Sequence, residues 1–158
     1  MRAWAIIPAL LLSAAGAAPI FVSVEGAADG ECGENAPCSL VHVLANLGRL
    51  TSIPERTEVV LQPGMFNVPV SDVVPAKGFP WPETVSDITV RSSTNDADDV
   101  AIDRGYAGRL LMFSSVRNVK FQGIRFLRGG WATEGDAGSL KTEGSLVTFP
   151  STSPGWLA

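Results

Sequence analysis

The chain has 158 residues, of which 46% are hydrophobic and 18% are charged, and its formal charge is −4. This composition excludes a disordered chain and predicts one domain with a sizeable core. The acidic balance, without a basic cluster, excludes nucleic acid and anionic membrane surfaces as predicted partners.

Residues 1–17 have the pattern of a signal peptide. Arg2 provides a positive start, residues 4–12 form an apolar run, and residues 15–17 are small enough for signal-peptidase cleavage. The apolar run is short for a membrane span, and an uncleaved N-terminal anchor is the alternative. No later stretch is apolar enough to cross a bilayer. The sequence therefore predicts a secreted or cell-surface protein with no membrane span after removal of the signal.

The two cysteines, Cys32 and Cys38, are six positions apart. Export to an oxidising compartment favours a disulfide between them, and Gly33 and Pro37 suit a tight closed loop. A metal site needs about four ligands, and nothing nearby in the sequence supplies the other two. No metal site and no cofactor are therefore predicted.

One helix is predicted directly after Cys38. Four apolar side chains at i, i+3, i+4 and i+7 form its buried stripe: Leu40, Val43, Leu44 and Leu47. Ser39 is the predicted N-cap, and Gly48 is predicted to follow the last helical residue. His42 lies beside the stripe and is interpreted as a partly buried structural residue, with a catalytic base as the alternative.

Short strands separated by corners are predicted for the rest of the chain. Apolar and polar residues alternate at 119–122 and again at 124–126, but the parity slips by one at Gly123. A corner at positive φ on Gly123 would let both halves send their apolar side chains to one interior. The other predicted strands are 59–61, 65–67, 88–90, 100–102, 110–113 and 146–149. This pattern alone fits a stack of coils and an antiparallel sandwich equally well.

Five motifs, taken in order, carry a resemblance to a known family. They are Pro37-Cys38-Ser39-Leu40, Val59-Val60-Leu61-Gln62-Pro63-Gly64, Ile88-Thr89-Val90, Val100-Ala101-Ile102-Asp103, and Asn118-Val119-Lys120-Phe121-Gln122-Gly123-Ile124-Arg125-Phe126. They resemble the N-terminal part of secreted right-handed parallel β-helix proteins of the pectin-lyase-like superfamily, in particular its extracellular and polymorphic-outer-membrane-type repeat proteins. The charged pair that follows Ser-Leu in that family is Val41-His42 in this chain.

The resemblance implies an all-β fold, a right-handed parallel β-helix of few coils that is incomplete. The predicted helix would cap its N-terminal end, residues 18–149 would form the module, and residues 150–158 would be an irregular tail. The implied role is structural or interactive, with extracellular polysaccharide or cell-surface components as partners. The incompleteness implies a truncated form of a longer protein, or a tail that folds back as a cover.

No residue matches a catalytic motif of the family's polysaccharide lyases and hydrolases, so no catalytic residue is predicted and the chain is interpreted as a non-enzyme. The alternative is the front part of a carbohydrate-active enzyme, a polysaccharide lyase or a glycoside hydrolase. In that case the catalytic groups would lie on later coils, since this chain offers few.

Three residues are the candidates for ligand contact: Asp103, Arg125 and Trp131. Asp103 ends an acidic stretch that begins at Asp96, and calcium prefers converging carboxylates. A solvated loop followed by an Asx corner at Asp103 explains the same residues and is the favoured interpretation. Arg125 and Trp131, with Arg128 between them, suit contact with a polyol, and outward positions of a coil are the favoured alternative.

Overall fold

The fold is given by a computed structural model that describes residues 18–52, 56–71, 74–75, 77–113, 117–131, 147–149 and 155–157. The predicted signal peptide lies outside these residues. The described chain is mostly strand, with one helix. In chain order the elements are β1 (Ile20–Ala27), α1 (Leu40–Thr51), β2 (Glu58–Leu61), β3 (Gly64–Asn67), β4 (Phe79–Pro80), β5 (Ile88–Ser92), β6 (Val100–Asp103), β7 (Ala107–Gly108), β8 (Leu111–Phe113), β9 (Val119–Gln122), β10 (Arg125–Leu127), β11 (Gly130–Trp131), β12 (Val147–Phe149) and β13 (Gly155–Leu157).

Most strand pairs are parallel. The largest sheet has the order β1-β2-β5-β9-β12, in which only β12 runs antiparallel to its neighbour. A second sheet, β10-β6-β3, is entirely parallel. In the third sheet β4 pairs with β8 in parallel and β13 pairs with β8 antiparallel, while β7 and β11 form an antiparallel pair. This pairing differs from that of the antiparallel sandwich, which the sequence pattern alone left open.

The core lies between the sheets, and the strand register aligns its side chains. Ile20, Val59, Val90 and Phe121 occupy matching positions on the four parallel strands of the largest sheet, and all four are buried. The Phe121 ring then contacts Phe126 on β10, with ring centroids 5.6 Å apart and an edge-on geometry that aromatic pairs favour. Burial of one face explains the period-2 pattern of β5, β8 and β9, whereas β2 and β6 bury residues on both faces.

The predicted corner at Gly123 is confirmed. Gly123 lies between β9 and β10 with φ +62°, in the left-handed region. Phe121 before the corner and Ile124 after it are both buried, although their parities differ. Gly64, the first residue of β3, also has a positive φ of +145° where the chain turns from β2 into β3. These corners keep the apolar side chains of successive strands on the inside.

The helix begins where the sequence predicts and ends later. The Ser39 side chain accepts a hydrogen bond from the backbone N–H of His42 at 3.2 Å, so Ser39 is the N-cap. The prediction that the helix ends before Gly48 is wrong, because Leu50 adds one more buried apolar side chain to the stripe. After it, the Ser52 hydroxyl donates to the carbonyl of Arg49 at 2.6 Å and satisfies one of the terminal acceptors. Within the described parts of the chain, no helix is long and apolar enough to cross a membrane.

Candidate functional site at the Asp103 corner

Two chain corners, one after β6 and one after β10, lie against each other. The parallel register places Leu127 opposite Asp103. Backbone pairing continues beyond the strands, since Arg104 N donates to Leu127 O at 3.0 Å and Tyr106 N donates to Arg128 O at 2.6 Å. We refer to residues 103–106 together with Arg128 as the Asp103 corner. Its position follows from strand register, which brings segments distant in sequence together.

The carboxylate of Asp103 is buried, with 3% of the residue exposed, and both of its oxygens accept hydrogen bonds. Arg128 Nε donates to Oδ1 at 2.9 Å and to Oδ2 at 3.1 Å, and Arg128 Nη2 also donates to Oδ2. The backbone N–H of Gly105 donates to Oδ1 at 2.9 Å. This last bond closes the Asx corner that the sequence predicts at Asp103, and that interpretation is confirmed.

These contacts shift the ionisation of both partners. The hydrogen bond from Arg128 lowers the pKa of Asp103 below its ordinary value, and it outweighs the opposing effect of burial. The same contact raises the pKa of Arg128. Asp103 therefore stays ionised at neutral pH with its lone pairs engaged. That makes it a poor general base, and a carboxylate held in this way cannot serve as a general acid either.

Arg128 and Tyr106 present the outer surface of the corner. The Tyr106 residue is 61% exposed and the Arg128 side chain is 52% exposed. The guanidinium carbon of Arg128 lies 5.9 Å from the centroid of the Tyr106 ring, within the range of a cation–π contact. Both residues have left-handed backbones, with φ +60° for Tyr106 and +47° for Arg128. Such conformations are uncommon outside glycine, and here they aim an aromatic ring and a guanidinium fixed by Asp103 toward solvent.

Arg104 points the other way, into the protein, and is only 1% exposed. Its Nε donates to Arg109 O at 3.1 Å, and its Nη1 and Nη2 donate to Val68 O at 2.5 Å and Pro75 O at 2.7 Å. Burial lowers the pKa of this guanidinium. Its three backbone acceptors come from two separate loops, so Arg104 fixes the path of the chain beneath the corner.

Of the other two candidates for ligand contact, Arg125 is paired with another loop and Trp131 has its backbone beside the Asp103 corner. Arg125, at the start of β10, is partly exposed and pairs with Asp98, with Nη1 3.3 Å from Oδ1. Trp131 lies in β11, opposite Ala107, and its side chain is outside the described part of the structure. The structure therefore brings Asp103 together with Arg128 and Tyr106. No role for Tyr106 was predicted from the sequence, although it lies in the corner that follows the strand-ending Asp103, where an exposed aromatic side chain is a candidate for ligand contact.

The acidic stretch does not converge on one point. Asp96, Asp98 and Asp99 are exposed, and the Asp96 carboxylate accepts a hydrogen bond from the backbone N–H of Asp98 at 2.9 Å. Among the described residues, no group of three acidic side chains is arranged to hold one cation. The stretch is a solvated loop in this structure, in agreement with the favoured interpretation of the sequence.

Comparisons of the chain with protein-family models, with curated proteins and with solved structures find no match.

We expect the Asp103–Arg128 pair to make stability depend on pH in the acid range. The folded pKa of Asp103 is lower than its ordinary value of 3.8, so the pair's contribution is complete above that value and is lost as pH falls through the folded pKa. At pH 7, Asp103→Asn should lower the free energy of unfolding by about 1–2 kcal/mol, a figure discounted because Arg128 is half exposed. The difference between wild type and variant should shrink with acidification, as followed by urea unfolding at a series of pH values.

Asp96→Asn is the matched control for this pH series, because its side chain is exposed and an amide oxygen can still accept the bond from Asp98 N. Its unfolding free energy should follow that of the wild type at every pH. A difference in unfolding free energy between wild type and Asp103→Asn that stays constant from pH 7 to the lowest pH measured would contradict the prediction. It would mean that ionisation of Asp103 does not stabilise the fold.

Proposed function

We propose that this chain is the N-terminal module of a secreted or cell-surface protein with a right-handed parallel β-helix. In this proposal the module has a structural and interaction role and no catalytic site of its own. The observation that carries the proposal is a strand pair that occurs three times, as β2–β3, β5–β6 and β9–β10. The first member of each pair lies in one parallel sheet and the second member in another. Three returns to the same two sheets are the arrangement expected of three stacked coils.

The helix supports the same proposal. α1 packs against β1, the strand at the edge of the largest sheet, and buries Leu40, Val43, Leu47 and Leu50. The first coil of a β-helix would otherwise expose core side chains and an open strand edge, which invites aggregation. A helix that covers the first coil suits the N-terminal end of such a module.

The interaction role is supported by polar side chains at matching positions on the parallel strands. Glu58, Thr89 and Lys120 are aligned by the register of β2, β5 and β9, and Arg91 is aligned with Gln122. Arg91 Nε donates to Glu58 Oε1 at 2.5 Å, so neighbouring strands are also linked by charge. Parallel strands are separated by about 4.8 Å, so these side chains form a polar row across β2, β5 and β9, interrupted only by the buried Val60 next to Arg91. Such a row fits an extended extracellular polysaccharide better than a compact ligand.

The alternative function is the front part of a carbohydrate-active enzyme. A hydrolase needs two carboxyl groups that flank the scissile bond, and a lyase needs a base within hydrogen-bond reach of the proton it removes. The most buried carboxylate of the described chain, Asp103, is saturated with donors. This favours the interaction role for the part of the protein seen in this structure.

The test of the proposal uses the secreted chain with its disulfide intact. The protein is incubated with pectate, pectin, alginate and xylan, with and without calcium, while absorbance follows unsaturated products and a colour reaction follows new reducing ends. We expect no turnover, together with retention on at least one immobilised polysaccharide or on intact cells. Reproducible turnover that disappears in Asp103→Ala would overturn the proposal and assign the chain to the enzymes.

Variants then locate the contact surface. Arg91→Gln combined with Lys120→Gln removes two cations of the polar row, while Met65→Ala changes an exposed apolar side chain on β3 and serves as the control. Retention should weaken for the double variant and stay unchanged for Met65→Ala. Equal retention of all three proteins, or retention of none, would contradict an interaction role of this surface.

A further inference from the structure

The first turn of α1 brings a histidine to the disulfide. Cys32 and Cys38 are joined, with their Cα atoms 4.8 Å apart, and both are buried. His42 follows Cys38 by one helical turn, and its backbone N–H is fixed by the N-cap Ser39. One ligand atom from each of Cys32, Cys38 and His42 lies within 4.8 Å of the other two. Within the described chain, this is the only group of three or more potential metal ligands that lies so close together.

The imidazole of His42 has an unexplained donor or acceptor. Its Nε2 is buried and makes no hydrogen bond to the described residues, whereas Nδ1 lies 3.5 Å from Asn46 Nδ2. A buried polar atom without a partner costs free energy, and native proteins keep few of them. A purely structural role for His42 gives no reason to leave this nitrogen unpaired in an imidazole that has one ring nitrogen within 4.8 Å of both sulfur atoms.

We propose that Cys32, Cys38 and His42 bind a thiophilic divalent cation such as Zn²⁺ when the disulfide is reduced. A phosphine or thiol reductant supplies two electrons, the S–S bond breaks, and two protons from water give two thiols. The cation then displaces those two protons and binds two thiolates and the imidazole nitrogen. Two thiolates and one imidazole are a donor set that favours zinc, and water would occupy the fourth position of a tetrahedral ion.

The backbone geometry suits such a site in the reduced chain. Zinc binds sulfur at about 2.3 Å and nitrogen at about 2.0–2.1 Å, so ligands within 4.8 Å of one another can reach one ion through small side-chain rotations. Both cysteine segments are also tied to β1 independently of the disulfide. Phe21 N donates to Cys32 O at 2.8 Å, and Ser39 N donates to Ala27 O at 2.7 Å. Reduction would therefore leave the two thiols close together.

Cobalt is the probe for the test, because a Co²⁺ ion bound by thiolates absorbs in the ultraviolet and a four-coordinate Co²⁺ ion absorbs strongly in the visible. The purified chain is reduced with a phosphine, freed of metal with a chelator that is then removed, and titrated with Co²⁺. We expect one equivalent of Co²⁺ to bind and to produce both the ultraviolet and the visible bands. Added Zn²⁺ should displace the Co²⁺ and remove these bands. The disulfide-bonded chain should show neither set. Zn²⁺ should also protect both cysteines from alkylation, as measured by mass spectrometry.

Two variants separate this site from adventitious binding. His42→Gln removes the imidazole and should weaken Co²⁺ binding at least about tenfold and change the visible bands. Asp98→Asn changes an exposed acidic side chain in a different loop and should bind as the wild type does. Circular dichroism of the reduced chain, before and after Zn²⁺, shows whether the fold is present. Absence of thiolate–cobalt bands would overturn the proposal, and so would unchanged binding by His42→Gln or a reduced chain that stays unfolded with Zn²⁺.

Discussion

Arg104→Ala should lower the free energy of unfolding by at least about 3 kcal/mol. The guanidinium donates to the carbonyls of Val68, Pro75 and Arg109, and the residue is 1% exposed. Alanine would leave a cavity and remove a charged donor from each carbonyl. Pro75 O would keep its bond from Gly78 N, so most of the cost should come from the other two acceptors and the cavity. Urea unfolding of the oxidised protein measures the change.

Two further variants make this result interpretable. Arg104→Met fills most of the space without donating, and it also relieves the cost of burying a charge, so its loss of stability should be smaller than that of alanine. Arg49→Ala removes an exposed arginine from the last turn of α1 and should change stability by less than about 0.5 kcal/mol. Similar stabilities of Arg104→Ala and Arg49→Ala would show that the buried guanidinium contributes little.

The position of Arg104 links stability to the candidate site. Asp103 and Arg104 are adjacent, and they turn in opposite directions at the end of β6. The Asp103 carboxylate binds Arg128 at the surface, while the buried Arg104 guanidinium donates hydrogen bonds to loop carbonyls on the inner side of the corner. The exposed pair of Tyr106 and Arg128 therefore sits on a corner fixed on both sides. A surface held in this way loses little conformational entropy when it binds a partner.

Local patterns made part of the fold predictable. The period-2 alternation and its slip at Gly123 predicted two strands and the corner between them, because strand burial and glycine conformation are decided by neighbouring residues. The apolar stripe and Ser39 predicted the helix and its start for the same reason. The end of the helix was missed because Leu50 is held by packing, which overrides the local stop signal at Gly48.

The candidate site was less predictable, because strand register assembles it. Asp103 was a candidate from the sequence, but its partner Arg128 follows a strand 25 positions away, and no local pattern pairs them. The burial of Arg104 had no sequence signal either, since arginine is ordinarily a surface residue. The strand β1 was missed although residues 22–25 alternate apolar and polar, and this alternation does not match its burial, because Val24 and Glu25 are both exposed. Which strands pair, and in which register, cannot be predicted from local patterns in a single sequence.

Gly123→Ala should lower the free energy of unfolding by about 2–4 kcal/mol, through two effects that a second glycine separates. Gly123 has φ +62°, where an L-residue is strained, and a Cβ there would lie 2.8 Å from the carbonyl carbon of Asn95. Gly105 has nearly the same backbone, with φ +61°, but a Cβ there would meet nothing within 4 Å. Gly105→Ala should therefore lower the free energy of unfolding only by the backbone strain, about 1 kcal/mol. The variant keeps the backbone N–H that donates a hydrogen bond to the Asp103 carboxylate. In urea unfolding, Gly123→Ala should lose more stability than Gly105→Ala. The difference between the two losses measures the cost of the close approach between position 123 and the Asn95 backbone. Equal losses for the two variants would mean that the Asn95 loop yields, and that only backbone conformation requires glycine at position 123.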